Sequence, residues 1–198
     1  AGAGALQRAA TSASRVSLEA VVPEAPLEHS DHGVFPVGDG WFVVNARDAQ
    51  WFESDGLGFY APFEGENAPF GELGFNLNIL RPGEPSCMYH GEETQEDFLV
   101  LAGECILVVE GQERSLKAWD FVHCSPWTEH VFVGSGDGPC LILAVGARLK
   151  GRGLRYPVND VALKHGAGVE EETSDPKEAY ARFGDLKPVP CPDGFPSS

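Results

Sequence analysis

Between residues 86 and 146 the chain is a succession of short runs rich in strand-forming residues: "SCMYHGE", "DFLVLAG", "CILVVEG", "RSLKAWD", "FVHC", "EHVFVGSGDG" and "CLILAVG". Gly, Asp or Pro interrupts them every several residues, and no helical periodicity lies between them. That spacing admits few architectures, and an antiparallel sandwich or small barrel is the one it fits. Just upstream, "FNLNILRPGE" alternates: Phe75, Leu77 and Ile79 take one face, Asn76 and Asn78 the other, before a turn at Pro82-Gly83. The two asparagines either line a polar cavity or face solvent. The 24 Gly and 15 Pro agree with many short strands and tight turns.

The flanks read differently. "GWFVVN" at residues 40–45 is expected to be a short strand, and "ARDAQWFES" a helical turn or short helix. "VNDVALKHGAG" is expected to be a helix with Gly166 at its C-terminal cap. "SDPKEAYARFG" is expected to be another, with Asp175 at the N-cap, Pro176 in the first turn and Glu178 closing a capping box. Pro recurs in the last segment. These textures divide the chain into a flexible extension over 1–35, a barrel with an N-terminal strand and loop over 36–150, and a helical, Pro-rich tail over 151–198. Residues 1–20 are small and polar, as in a transit segment, a flexible tail or an expression remnant, and we assign them no part in the chemistry.

The net charge of −16, with only 14 Lys and Arg, argues against a nucleic-acid partner. No apolar run reaches the length of a membrane span. Cys87, Cys105, Cys124, Cys140 and Cys191 form no CxxC pair, so reduced thiols and a cytoplasmic chain are expected. There is no P-loop, no GxGxxG and no Ser-His-Asp order.

The chemistry gathers in "MYHGEETQEDFLVLAGE", residues 88–104. His90 and Glu92 are two apart on a presumed strand and so leave the same face; Glu96 follows, and "HCSPWTEHVFVG" later supplies His130 behind a Pro-containing turn. Such groups are costly to desolvate unless something pairs with them. Three or four nitrogen and oxygen donors facing one cavity suit a divalent transition metal. His123 is either a general acid/base or a hydrogen-bonded core or interface histidine. Trp127 either caps the mouth of the cavity or lies on the surface. Gln95 is a possible partner holding Glu96 in place, and Tyr89, which alternates away from His90, is assigned to packing.

At this point the sequence resembles the cupin superfamily. The first motif of that family, a Gly, a His-x-His pair, a Glu and a further Gly, is matched by Gly83, His90, Glu92, Glu96 and Gly103 within "RPGEPSCMYHGEETQEDFLVLAGE". The second, ending in a Pro-rich turn and a His, is matched by "WDFVHCSPWTEH" and His130. Glu92 stands where the family usually has its second His, one residue more than usual separates Gly83 from His90, and Trp119 and Gly134 replace residues that usually open and close the second motif. The motifs span about a quarter of the chain. The resemblance implies an all-β cupin-type antiparallel barrel (a double-stranded β-helix, or jelly roll) with a short helical C-terminal tail. It implies one divalent ion held by His90, Glu96 and His130 with Glu92 as fourth ligand. The alternatives are three ligands with Glu92 a solvated carboxylate, or no metal at all. Two carboxylates favour Zn, Fe or Mn over Cu. The expected function is a metal-dependent enzyme acting on a small organic molecule by oxygenase, isomerase or lyase chemistry; a non-catalytic small-ligand-binding protein and a structural, dimer-forming barrel are the rivals. A homodimer is expected, with "GWFVVN" covered at the interface.

Overall fold

Alternating side chains along each strand sort apolar groups to the inside, and two facing sheets result. The computed structural model describes residues 21–149, 151, 153–193 and 195; the expected extension over residues 1–20 lies outside them. The strands are β1 (Leu27–Ser30), β2 (Gly33–Pro36), β3 (Trp51–Glu53), β4 (Phe59–Ala61), β5 (Leu73–Leu80), β6 (Gly91–Glu92) and β7 (Glu96–Ala102). After them come β8 (Glu104–Val109), β9 (Gln112–Lys117), β10 (Phe121–Cys124), β11 (His130–Ser135), β12 (Cys140–Ala147) and β13 (Leu154–Arg155). Two short helices, α1 (Asp160–Lys164) and α2 (Pro176–Ala179), precede β14 (Lys187–Val189). The large sheet runs β10-β7-β12-β5-β4-β3-β14 and the small one β11-β8-β9, with all pairs antiparallel. The sheets face each other without closing into a hydrogen-bonded ring. β13 pairs with β6, and β1 with β2.

Register places the core. β12 sits between β5 and β7, so Asn78, Ile142 and Val100 form one cross-sheet row and Asn76, Ala144 and Phe98 the next. On this inner face Val100 and Ile142 pack with Leu107 and Phe132 of the small sheet. The opposite face carries Leu77, Ile79 and Leu141 against Trp51 and Phe59. Inner side chains therefore run from apolar at the Leu80–Cys140 end to polar at the end where Gly146 opposes Glu96. One end of the sandwich is sealed and the other is built to hold polar chemistry.

Gly103 turns β7 into β8 at φ 74°, and a Cβ there would lie 2.4 Å from the Pro139 carbonyl oxygen. Only glycine fits both the left-handed backbone and that approach.

Several local expectations hold and several do not. β5 forms as the alternation predicts. α1 is capped by Asn159, which accepts from the Val161 and Ala162 amides, and Gly166 follows at φ 67°. α2 starts at Asp175 and Pro176, but its capping box is not made: Glu178 accepts instead from the Thr173 hydroxyl. Residues 40–45 are not a strand; Trp41 makes a single bridge to Glu24, and Val43 is exposed. The apolar run there has no neighbouring strand to complete a ladder. "ARDAQWFES" is a turn leading into β3 rather than a helix. Residues 27–35, assigned to the extension, form a hairpin together with Pro36. β14 pairs with β3, which ties the tail to the large sheet.

Candidate metal centre

His90 and His130 are brought side by side by the backbone. They are a directly opposed antiparallel pair exchanging both main-chain bonds, His90 N–H to His130 O at 3.2 Å and His130 N–H to His90 O at 2.8 Å. Their rings lie 5.0 Å apart, centroid to centroid. Each ring is oriented by its own chain: Nδ1 of His90 donates to the Met88 carbonyl at 2.8 Å and Nδ1 of His130 to the Thr128 carbonyl at 3.0 Å. A carbonyl can only accept, so in the neutral form of each ring Nε2 carries the lone pair, the form a metal requires. Burial holds His130 below the usual imidazole pKa, against the smaller opposing effect of the Thr128 bond.

Glu96, at the start of β7, points inward because its neighbour Asp97 points out. Its Oε2 lies 3.6 Å from His130 Nε2 and 3.9 Å from His90 Nε2. The donor atoms of His90, Glu96 and His130 all fall within 4.8 Å of one another. Ligands at about 2.0–2.2 Å from one ion would be separated by roughly 3–4 Å, so the three donors fit a single first-row divalent ion. Glu92 is not part of that converging set, but it is only 8% exposed, which rules out the solvated-carboxylate reading. Its Oε1 lies 3.7 Å from His90 Nε2, and its Oε2 accepts from the Thr94 hydroxyl at 3.1 Å.

These groups sit in the wall of a cavity of about 470 Å³. Asn76 and Asn78 line it too, resolving that alternative toward the cavity. Phe98, Phe132 and Ile142 give it an apolar floor. Cys87 also borders it, and burial pushes its thiol up to about 12, so it is protonated.

Two sequence candidates lie elsewhere. His123 is on the outer face of β10, its Nδ1 2.7 Å from Asp97 Oδ1. Cys124 opposes Glu96 and faces in, so His123, one residue earlier, must face out. Trp127 adopts φ 68° in the turn before β11 and lies beside Gly153 in a separate surface hollow. Gln95 bonds to Asp97, not Glu96.

Sequence reading missed a whole wall. Tyr180, Phe183 and Leu186 of the C-terminal segment close over the cavity, joined by Tyr60 and Tyr156. The segment is held down by the Ser54 hydroxyl, which donates to the Gly184 carbonyl at 2.8 Å, and by Arg182, which donates to the Gly166 carbonyl. The Tyr180 hydroxyl accepts from the amide of Met88 at 3.1 Å, the same residue whose carbonyl orients His90. Nothing in the local pattern of "SDPKEAYARFG" signals this return.

The described residues contain no helix long and apolar enough to cross a membrane, and all five cysteines are free.

Residues 76–146 match the family model described as "Cupin domain". Gentisate 1,2 dioxygenase 1 of Aquipseudomonas alcaligenes is 25% identical over 113 residues, covering 54% of this chain. The chain spans only 30% of that relative's length. A sugar phosphate isomerase of the cupin superfamily from Silicibacter pomeroyi is 26% identical over 50% of this chain and 64% of that one, with a TM-score of 0.45. A predicted oxalate decarboxylase from Thermotoga maritima is 21% identical over 55% of this chain and 100% of that one, with a TM-score of 0.48. The domain match spans β5, β7 and β11 and takes in Asn76, His90, Glu96 and His130, and over these residues the chain is similar to the cupin domain.

Proposed function

We propose that the chain is a metal-dependent cupin enzyme that acts on a small organic molecule bound in the cavity. The observation that carries this reading is the convergence of the His90 and His130 Nε2 atoms with Glu96 Oε2 in the wall of the cavity. His90, Glu96 and His130 hold the ion. Glu92, with one oxygen anchored by Thr94 and the other directed at His90, completes the set as fourth ligand. A divalent ion there supplies Lewis acidity toward an oxygen of the bound molecule, or redox chemistry if it is iron or manganese.

The chain's own residues do the rest. The Met88 and Thr128 carbonyls fix the two imidazole rings, so binding needs no reorientation. Asn76 and Asn78 present amide donors and acceptors across the cavity, to orient the molecule's polar atoms. Tyr180 and Phe183 line one side of it with apolar surface, which limits its contact with water. The similarity to a gentisate dioxygenase supports oxygen chemistry, while one fold can also host isomerase and lyase reactions.

Elemental analysis of protein prepared aerobically and anaerobically tests the reading. Stoichiometric Zn, Fe or Mn is expected in the parent and its loss in His130→Ala. Metal retained at full occupancy in that variant would refute the ligand assignment.

A further inference from the structure

Glu96 turns its two oxygens toward different neighbours. Oε2 faces the imidazoles, 3.6 Å from His130 Nε2 and 3.9 Å from His90 Nε2. Oε1 overhangs Gly146, where an added Cβ would lie 3.7 Å from it. Glu96 also borders a second hollow beside the cavity, whose wall includes Gly74, Glu92, Gly146 and Arg148. A guanidinium therefore shares a hollow with two carboxylates of the metal centre, and where it lies bears on what they can hold.

Arg148 follows directly on β12, the strand between β5 and β7, so its side chain can lie toward either neighbour. Gly146 has Gly74 opposite it on one flank and Glu96 on the other. Adjacent strands are only about 4.8 Å apart, which puts both flanks within reach of an arginine side chain. The structure has it on the β5 flank. The Arg148 amide donates to the Glu72 carbonyl at 2.9 Å. The guanidinium lies over Gly74, where a Cβ would sit 2.9 Å from Nε and from Nη2. Nη2 donates to Glu64 Oε2 at 2.8 Å. Glu64 is itself held in place, its Oε1 accepting from the Phe70 amide at 2.9 Å.

On the β7 flank the same guanidinium would meet the Glu96 carboxylate, and arginine–carboxylate pairs are among the stronger charge-assisted contacts. A carboxylate engaged in that way has less of its charge to offer a metal ion. We propose that Glu64 is a positioning residue for the metal centre: it holds Arg148 over Gly74 and so keeps the arginine from pairing with Glu96. The inference rests on the reading of His90, Glu96 and His130 as metal ligands. Glycine at 74 makes the seat for the guanidinium, since a Cβ there would push it off. Glycine at 146 leaves no side chain standing between the two positions of the arginine.

The test is zinc affinity of the full chain, read by competition with a chromophoric chelator, beside denaturant titration of the metal-free protein. Glu64→Gln removes the charge and keeps the shape, and it should weaken zinc on the order of tenfold. Adding Arg148→Gln to that variant should return the affinity to within about twofold of the parent, because the competitor is gone. Arg148→Gln alone should bind zinc at least as tightly as the parent. A merely structural ion pair predicts the opposite pattern: both single variants lose stability and neither moves zinc affinity. That pattern overturns the proposal, as does a loss in Glu64→Gln that Arg148→Gln leaves uncorrected. If Glu64→Gln does not fold, Gly74→Ala replaces it, displacing the guanidinium without touching Glu64, with the same expected loss and the same rescue. A parent that binds no zinc refutes the metal centre and this inference together. A parent that binds zinc, loses it in His130→Ala and is indifferent to the displacing variant refutes this inference alone.

Discussion

Thr94→Val isolates the part Glu92 plays. Thr94 is 3% exposed, and its hydroxyl donates to Glu92 Oε2 at 3.1 Å while Glu92 Oε1 lies 3.7 Å from His90 Nε2. Valine replaces that hydroxyl by a methyl of nearly the same size, so packing is preserved and one hydrogen bond to a carboxylate is lost. Such a bond contributes about 1.5–3 kcal/mol. If Glu92 is a ligand, the loss frees its carboxylate to rotate, and a partner of this kind is worth about 10–100-fold in metal affinity, or about 1.4–2.7 kcal/mol. Zinc affinity is read by competition with a chromophoric chelator, and stability by chemical denaturation of the metal-free protein. Thr94→Val should weaken zinc by that factor, and Thr94→Ser should restore it. A variant that loses stability yet binds zinc as tightly as the parent would refute the assignment of Glu92 to the metal centre.

Other perturbations read other parts of the molecule. Gly103→Ala should cost at least about 2 kcal/mol in denaturant titration, since alanine meets both the left-handed penalty and the Pro139 carbonyl; a change under about 0.5 kcal/mol would contradict the turn geometry. Burial raises Tyr60, lifts Tyr180 well above its ordinary value and pushes Tyr89 up to about 12. Their folded pKa values exceed the unfolded value near 10, so the stability they carry is complete below about pH 10 and lost as pH rises through the raised values. Tyrosinate absorbance should therefore develop together with alkaline unfolding, and a titration of these tyrosines at pH 10 in folded protein would refute it. The expected homodimer predicts twice the chain mass by light scattering at micromolar concentration, with Trp119 and Phe121 beside the exposed edge of β10 as apolar surface available to it; the mass of a single chain would refute it.

Local pattern was enough for much of this protein. The alternation in "FNLNIL" fixes β5 and its two faces, because side chains of a strand alternate whatever the strand pairs with. Asn159, Asp175 and Pro176 start their helices because capping is a contact between near neighbours in sequence. The His90, Glu96 and His130 spacing is legible for the same reason, each residue being tied to a strand end or turn visible in the sequence. What needed the tertiary structure is everything set by register or long-range closure. Residues 40–45 have strand composition but no strand beside them, and a strand without a partner leaves its ladder unsatisfied. His123 points out because Cys124 opposes Glu96, a parity that one residue of slip would reverse. The cover of the cavity depends on Tyr180 and Phe183 returning to residues far upstream, Met88 and Ser54 among their anchors. Chain closure over such distances is decided by the packing of the whole core, and no short window of sequence contains it.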